Sequence, residues 1–178
     1  MHVRVKAMAT AGLLVAFSVI MLVLSSVIET NSLFLIAAAS FCVGIAIREW
    51  GLWIGFAFLA ASILLNMLLV PNKLYCLTFA AMGLYLWLYE WLWKWIAEKT
   101  TIAYRTARLW IGKFVFFNVL YVPILFFMPK LIFTGKINGL AVILFLLAGQ
   151  VVFFIYDAAY RYFQSRIWGK FRGRLIGN

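Results

Sequence analysis

Side chains able to do acid–base, nucleophilic or metal chemistry are few in this chain, and they do not gather. His2 is the single histidine. Cys42 and Cys76 both lie in apolar stretches without CxxC spacing, so neither a zinc site nor a disulfide framework follows. There is no HExxH, no GxSxG and no glycine-rich phosphate loop. Acyl or phosphoryl transfer needs a base and a nucleophile close together, and no such pair can be assembled. The expectation is a protein that is not an enzyme and takes neither metal nor cofactor.

What remains is a set of amides, phenols and charges inside apolar sequence, where such groups are costly and so functional by default. Asn66 and Asn118 lie within long hydrophobic runs, Glu29 and Asn31 beside one, and Asn72, Lys73 and Tyr75 around a proline turn. Tyr121 completes the set. Between aromatic walls these residues suit a small polar or zwitterionic ligand. Interhelical hydrogen bonds and interfacial Tyr and Trp belts are the structural alternative. Glu90, Gln150 and Asp157 fall toward the other end of their segments. Glu90 with Lys94 and Asp157 with Arg161 have the i,i+4 spacing of ordinary helix ion pairs.

The elements that must position these groups are dictated by composition. The 178 residues are 67% hydrophobic and 12% charged, with mean hydropathy +1.04. Soluble domains are nearer 45–50% apolar and about 25% charged, so this chain lacks the polar surface to cover its core in water. It reads as an all-α integral membrane protein forming one domain over residues 1–178. Apolar runs predict six transmembrane helices in a compact bundle, at about 7–28, 33–47, 52–70, 74–93, 111–128 and 139–157. Glu29–Ser32 makes a polar turn, Arg48–Gly51 breaks the second run, and Pro71-Asn72-Lys73 ends the third, since proline lacks an N–H and fixes φ. Segment 94–110 mixes basic residues with Trp and Ile and reads as a connector, helical in part, lying against headgroups. Residues 158–178 read as a basic amphipathic tail continuing the sixth helix along the same surface.

The net charge is +11. In a soluble protein this would suggest nucleic acid, but here the basic residues lie mostly between and after apolar runs, where they set topology and meet anionic lipid. With both termini in the cytoplasm, only Lys73, Lys130 and Lys136 of the 16 Lys and Arg fall outside. The positive-inside rule therefore favours that orientation. It groups Glu29–Ser32, Pro71–Lys73 and 129–138 on the outer face, and 48–51, 94–110 and the tail on the inner face with anionic lipid.

Small residues recur where helices can approach closely: Ala7/Ala11 and Gly12/Ala16 on the first helix, Ala37–Ala39 and Gly44 on the second, and Gly51/Gly55 entering the third. With the Phe34–Gly44 segment and the Pro71-Asn72-Lys73 turn, this pattern resembles the substrate-binding S components of energy-coupling factor (ECF) vitamin transporters. The resemblance covers most of the chain as architecture. It implies a six-helix binding subunit of a bacterial inner-membrane uptake system, binding a vitamin or precursor near the outer face. It also implies a separate transmembrane coupling protein with ATPases, consistent with the absence of an ATP-binding motif here. Carried over by position, Asn72, Lys73, Tyr75, Asn118 and Tyr121, with Glu29 and Asn31, would contact the ligand, while Ala7, Ala11, Gly12 and Ala16 would face the coupling protein. Two other readings stand beside it. One is an assembly protein with an S-component-like bundle that binds other membrane proteins, a use suggested by the rod-shape membrane proteins of bacteria. The other is a homo-oligomeric channel, disfavoured because the membrane-depth polar residues form no obvious ring.

Overall fold

The structure, a computed structural model, describes residues 2–99, 102–127 and 139–170. Among these residues there is no strand. The elements are α1 (His2–Val27), a 3₁₀ turn (Glu29–Asn31), α2 (Ser32–Trp50), α3 (Leu52–Leu69), α4 (Lys73–Lys99), α5 (Ile102–Phe127) and α6 (Gly139–Tyr162). A π-helical segment, Phe163–Trp168, carries α6 onward. Among the described residues, four segments are long and apolar enough to cross a bilayer: Met8–Val27, Ser32–Trp50, Leu52–Leu69 and Val142–Trp168. This is the pattern of a multi-pass membrane protein. Helix α4 has 27 residues and is less apolar, because Tyr, Trp, Glu90 and Lys94 interrupt it; α5 has 26, with Arg105 and Arg108 near its start and Lys113 and Asn118 further along.

Several boundaries differ from the sequence expectation, for one physical reason. Charged residues with long aliphatic stems are good helix formers, and they continue a helix where an apolar run ends. Arg48-Glu49 therefore does not break α2, which runs on to Trp50. The break is Gly51, whose φ of 96° lies in the region open to glycine. Segment 94–110 is helical wherever it is described: residues 94–99 finish α4 and 102–110 begin α5. Trp91 and Trp95 stack one turn apart on α4, with ring centroids 6.5 Å apart. The Arg105 guanidinium lies 5.1 Å from the Trp93 ring. The loop 129–138 and the end of the tail, 171–178, lie outside the described residues.

Packing distinguishes two compact units, Met1–Glu90 with Tyr162–Asn178, and Trp91–Arg161. In the first, α1, α2 and α3 pack against one another. Its core includes Leu22, Ile36, Val43, Ile47, Leu59 and Phe79. Gly55 is what allows α2 and α3 to touch: a Cβ there would lie 2.2 Å from Ile47 Cγ1 and 2.9 Å from its Cα. The described part of the tail packs against this core through 163–168. Gln164 and Trp168, four apart on the π-helical segment, are both buried, and Trp168 Nε1 donates to Glu49 Oε1 at 2.9 Å. In the second unit α5 and α6 run antiparallel. Phe117 stacks on Phe153 with centroids 4.6 Å apart and on Tyr121 at 5.1 Å.

Candidate functional site

Helix α3 is inside-out. Trp53, Ile54, Leu64, Met67 and Leu68 are exposed, while Gly55, Phe58, Leu59, Ser62 and Asn66 form the buried stripe. A helix in water would do the opposite; a helix in lipid turns its polar side chains inward. Ser62 and Asn66 are one turn apart on that stripe, and both are 0% exposed. Neither Asn66 Nδ2, Asn66 Oδ1 nor Ser62 Oγ has a hydrogen-bond partner among the described residues. The Asn66 backbone carbonyl, by contrast, accepts from Val70 N at 2.8 Å and from the Cys76 thiol at 3.3 Å. The result is a buried patch offering one amide donor group, one carbonyl acceptor and one hydroxyl, all uncommitted, at the end of α3 that leads into the proline turn.

That turn engages the other candidate residues in its own structure. Asn72 Oδ1 accepts from Leu74 N at 3.0 Å and so caps the start of α4. Lys73 Nζ donates to the Met67 carbonyl and, at 3.1 Å, to the Val70 carbonyl, covering acceptors that α3 leaves open at its C-terminus. Tyr75 is half-buried against the core of this unit. Asn31 is exposed at the start of α2 and makes no side-chain cap there. The side chain of Glu29 lies outside what the structure describes.

The second unit holds the remaining candidates in a ladder between α5 and α6. Asn118 Nδ2 donates to the Phe114 carbonyl at 2.8 Å, and its Oδ1 accepts from Gln150 Nε2 at 2.9 Å. Tyr121 donates its hydroxyl to the Phe145 carbonyl at 2.7 Å. At the other end Lys113 Nζ lies 2.8 Å from Asp157 Oδ1, with side-chain exposures of 5% and 0%. Arg161 Nε approaches Asp157 Oδ2 at 3.1 Å. The Asp157–Arg161 pair expected from i,i+4 spacing is therefore present, but the sequence missed Lys113 as its third member. Lys113 looked like one more topology charge, and no local signal marks it as buried. Glu90, expected to serve Lys94, is bound by Arg48 Nε at 2.7 Å.

The expected partner face of α1 is open where it is described. Gly12 and Ala16 are exposed, Ala11 is half-buried, and nothing comes within 4 Å of a Cβ placed on Gly12. The side chain of Ala7 lies outside what the structure describes. Of the eight candidate ligand residues, Glu29, Asn31, Asn66, Asn72, Lys73 and Tyr75 belong to the first unit and Asn118 and Tyr121 to the second. Ser62, which sequence reasoning passed over, joins Asn66. Its signal was legible as the i,i+4 step on a helix whose remaining face is purely apolar. Among the described residues no group of three or more His, Cys, Asp or Glu is placed to hold a metal ion. No protein-family model matches the chain, and neither a curated protein nor a solved structure does.

Proposed function

We propose that this chain is the solute-binding subunit of a membrane uptake system, with energy supplied by a separate ATPase module. In this reading it crosses the membrane six times with both termini in the cytoplasm, in the manner of an ECF S component. The observation that supports binding is the Ser62–Asn66 stripe. A buried polar group without a partner is destabilising by about 1–3 kcal/mol and calls for an explanation, and on this helix three such atoms share one stripe, which a bound ligand would satisfy. The uncommitted donors and acceptors suit a small neutral ligand with amide-like or heterocyclic polar edges, of the size of a vitamin or its precursor. Asn66 is fully buried, so in this reading a ligand reaches it only when packing around α3 opens.

The test is a tryptophan-emission titration of the detergent-purified protein against a panel of vitamins and precursors. Saturable quenching by one compound, abolished by Asn66→Leu, is the expected result. Quenching unchanged in Asn66→Leu would remove this stripe from the site. A flat response to the whole panel would favour a second reading, an assembly protein that holds other membrane proteins. That reading draws on a specific observation: the polar side chains of Asn72, Lys73, Asn118 and Tyr121 all engage the protein's own helices.

A further inference from the structure

The Lys113–Asp157–Arg161 cluster holds two cations against one carboxylate, at the level where the apolar part of α6 ends and its basic part begins. Lys113 and Asp157 neutralise each other inside the protein, which leaves Arg161 as the net charge, and its side chain is 49% exposed. Arg161 reaches Asp157 through Nε. Its two Nη groups meet no acceptor among the described residues. The Trp110 ring lies against both cations, 5.0 Å from Lys113 Nζ and 5.3 Å from Arg161 Cζ. The indole N–H has no acceptor among the described residues either. Asp157 thus faces the Nε edge of a guanidinium that lies beside an indole, an ion pair that leaves the Nη pair as a planar fork of donors.

A tryptophan at an apolar–polar boundary marks the headgroup level of a bilayer, and a guanidinium fork matches a phosphate in geometry and charge. We infer that Arg161 and Trp110, backed by the neutralised Lys113–Asp157 pair, form a seat for the phosphodiester of an anionic phospholipid headgroup. Arg161 supplies the bidentate charge-assisted contact and Trp110 a single N–H, while its ring meets the upper acyl chain. The carboxylate does not repel the phosphate, because Lys113 holds it within the protein. This seat shares no residue with the Ser62–Asn66 stripe, so it stands or falls independently of solute binding.

The experiment reconstitutes the full chain in phosphatidylcholine nanodiscs and follows thermal unfolding as phosphatidylglycerol replaces part of the lipid. Saturable stabilisation is expected, with the half-saturating fraction raised about fivefold in Arg161→Gln, the effect of one basic contact near a surface. Trp110→Phe should weaken it less. Lys170→Gln, the same charge change at an exposed site further along, should leave it unchanged. Equal losses in Arg161→Gln and Lys170→Gln would overturn the seat in favour of a diffuse basic surface, as would a response that never saturates. Stabilisation by inorganic phosphate in pure phosphatidylcholine discs, at constant ionic strength and lost in Arg161→Gln, would overturn the lipid assignment in favour of a soluble phosphate. Arg161→Lys keeps the charge without the fork, and an intermediate loss supports the bidentate contact.

Discussion

Replacing Asn66 with leucine should make this protein more stable while removing its proposed activity. Leucine keeps the branched four-atom shape of asparagine with bulkier methyl ends, and Asn66 is 0% exposed, so the substitution opens no cavity and adds some crowding. The side chain carries an unpaired donor group and an unpaired acceptor. In a soluble core each would contribute about 1–3 kcal/mol of destabilisation. In a bilayer or micelle the unfolded helices also find partners incompletely, which lowers the net gain to about 1–2 kcal/mol. Ser62→Ala should act in the same direction and by less, about 0.5–1 kcal/mol, because a hydroxyl can turn toward its own helix carbonyls. Reversible unfolding in mixed SDS micelles, followed by far-UV circular dichroism, reads both values. Loss of stability beyond about 1 kcal/mol in both Asn66→Leu and the smaller Asn66→Val would mean that the amide has a partner, refuting the reasoning. A stabilised variant that has also lost ligand-induced quenching would show stability and binding opposed at one residue.

Other substitutions test the packing described above. Lys113→Met should destabilise by about 3 kcal/mol, near the low end for a broken buried ion pair because Arg161 still faces Asp157, and Lys113→Met/Asp157→Leu should recover much of the loss. Unfolding of the single and double variants in the same micelles decides it. Gly55→Ala should destabilise by about 1–3 kcal/mol, since the new Cβ meets the backbone of Ile47 and not only a movable side chain; equal midpoints for the two proteins would contradict the close α2–α3 contact. A double-mutant cycle of Asn118→Leu and Gln150→Leu should give a coupling near 0.6 kcal/mol, the average for hydrogen bonds between membrane helices. Zero coupling there would remove that rung of the α5–α6 ladder.

The membrane character and helical class follow from the sequence alone, because they depend on how many apolar residues occur in a row. So do the stops at Pro71 and Gly51, where a single residue's backbone chemistry decides. Charge was a poorer guide to helix ends. Arg48, Lys94 and Arg105 all lie within helices, since a long aliphatic stem lets a charged residue continue a helix past its apolar run. The two site residues that best illustrate the limit are Asn66 and Asn118. Both are amides in apolar helices and look alike in sequence, yet Asn118 is bound to Gln150, 32 residues away, and Asn66 is unpaired. Lys113 was likewise ordinary until its partner Asp157, 44 residues on, was seen beside it, as was Glu90 before Arg48. Helix formation and lipid partitioning are local sums over neighbouring residues, which the sequence by itself determines. Whether a polar side chain is satisfied depends on which helix faces it and at what height, and only tertiary packing decided that.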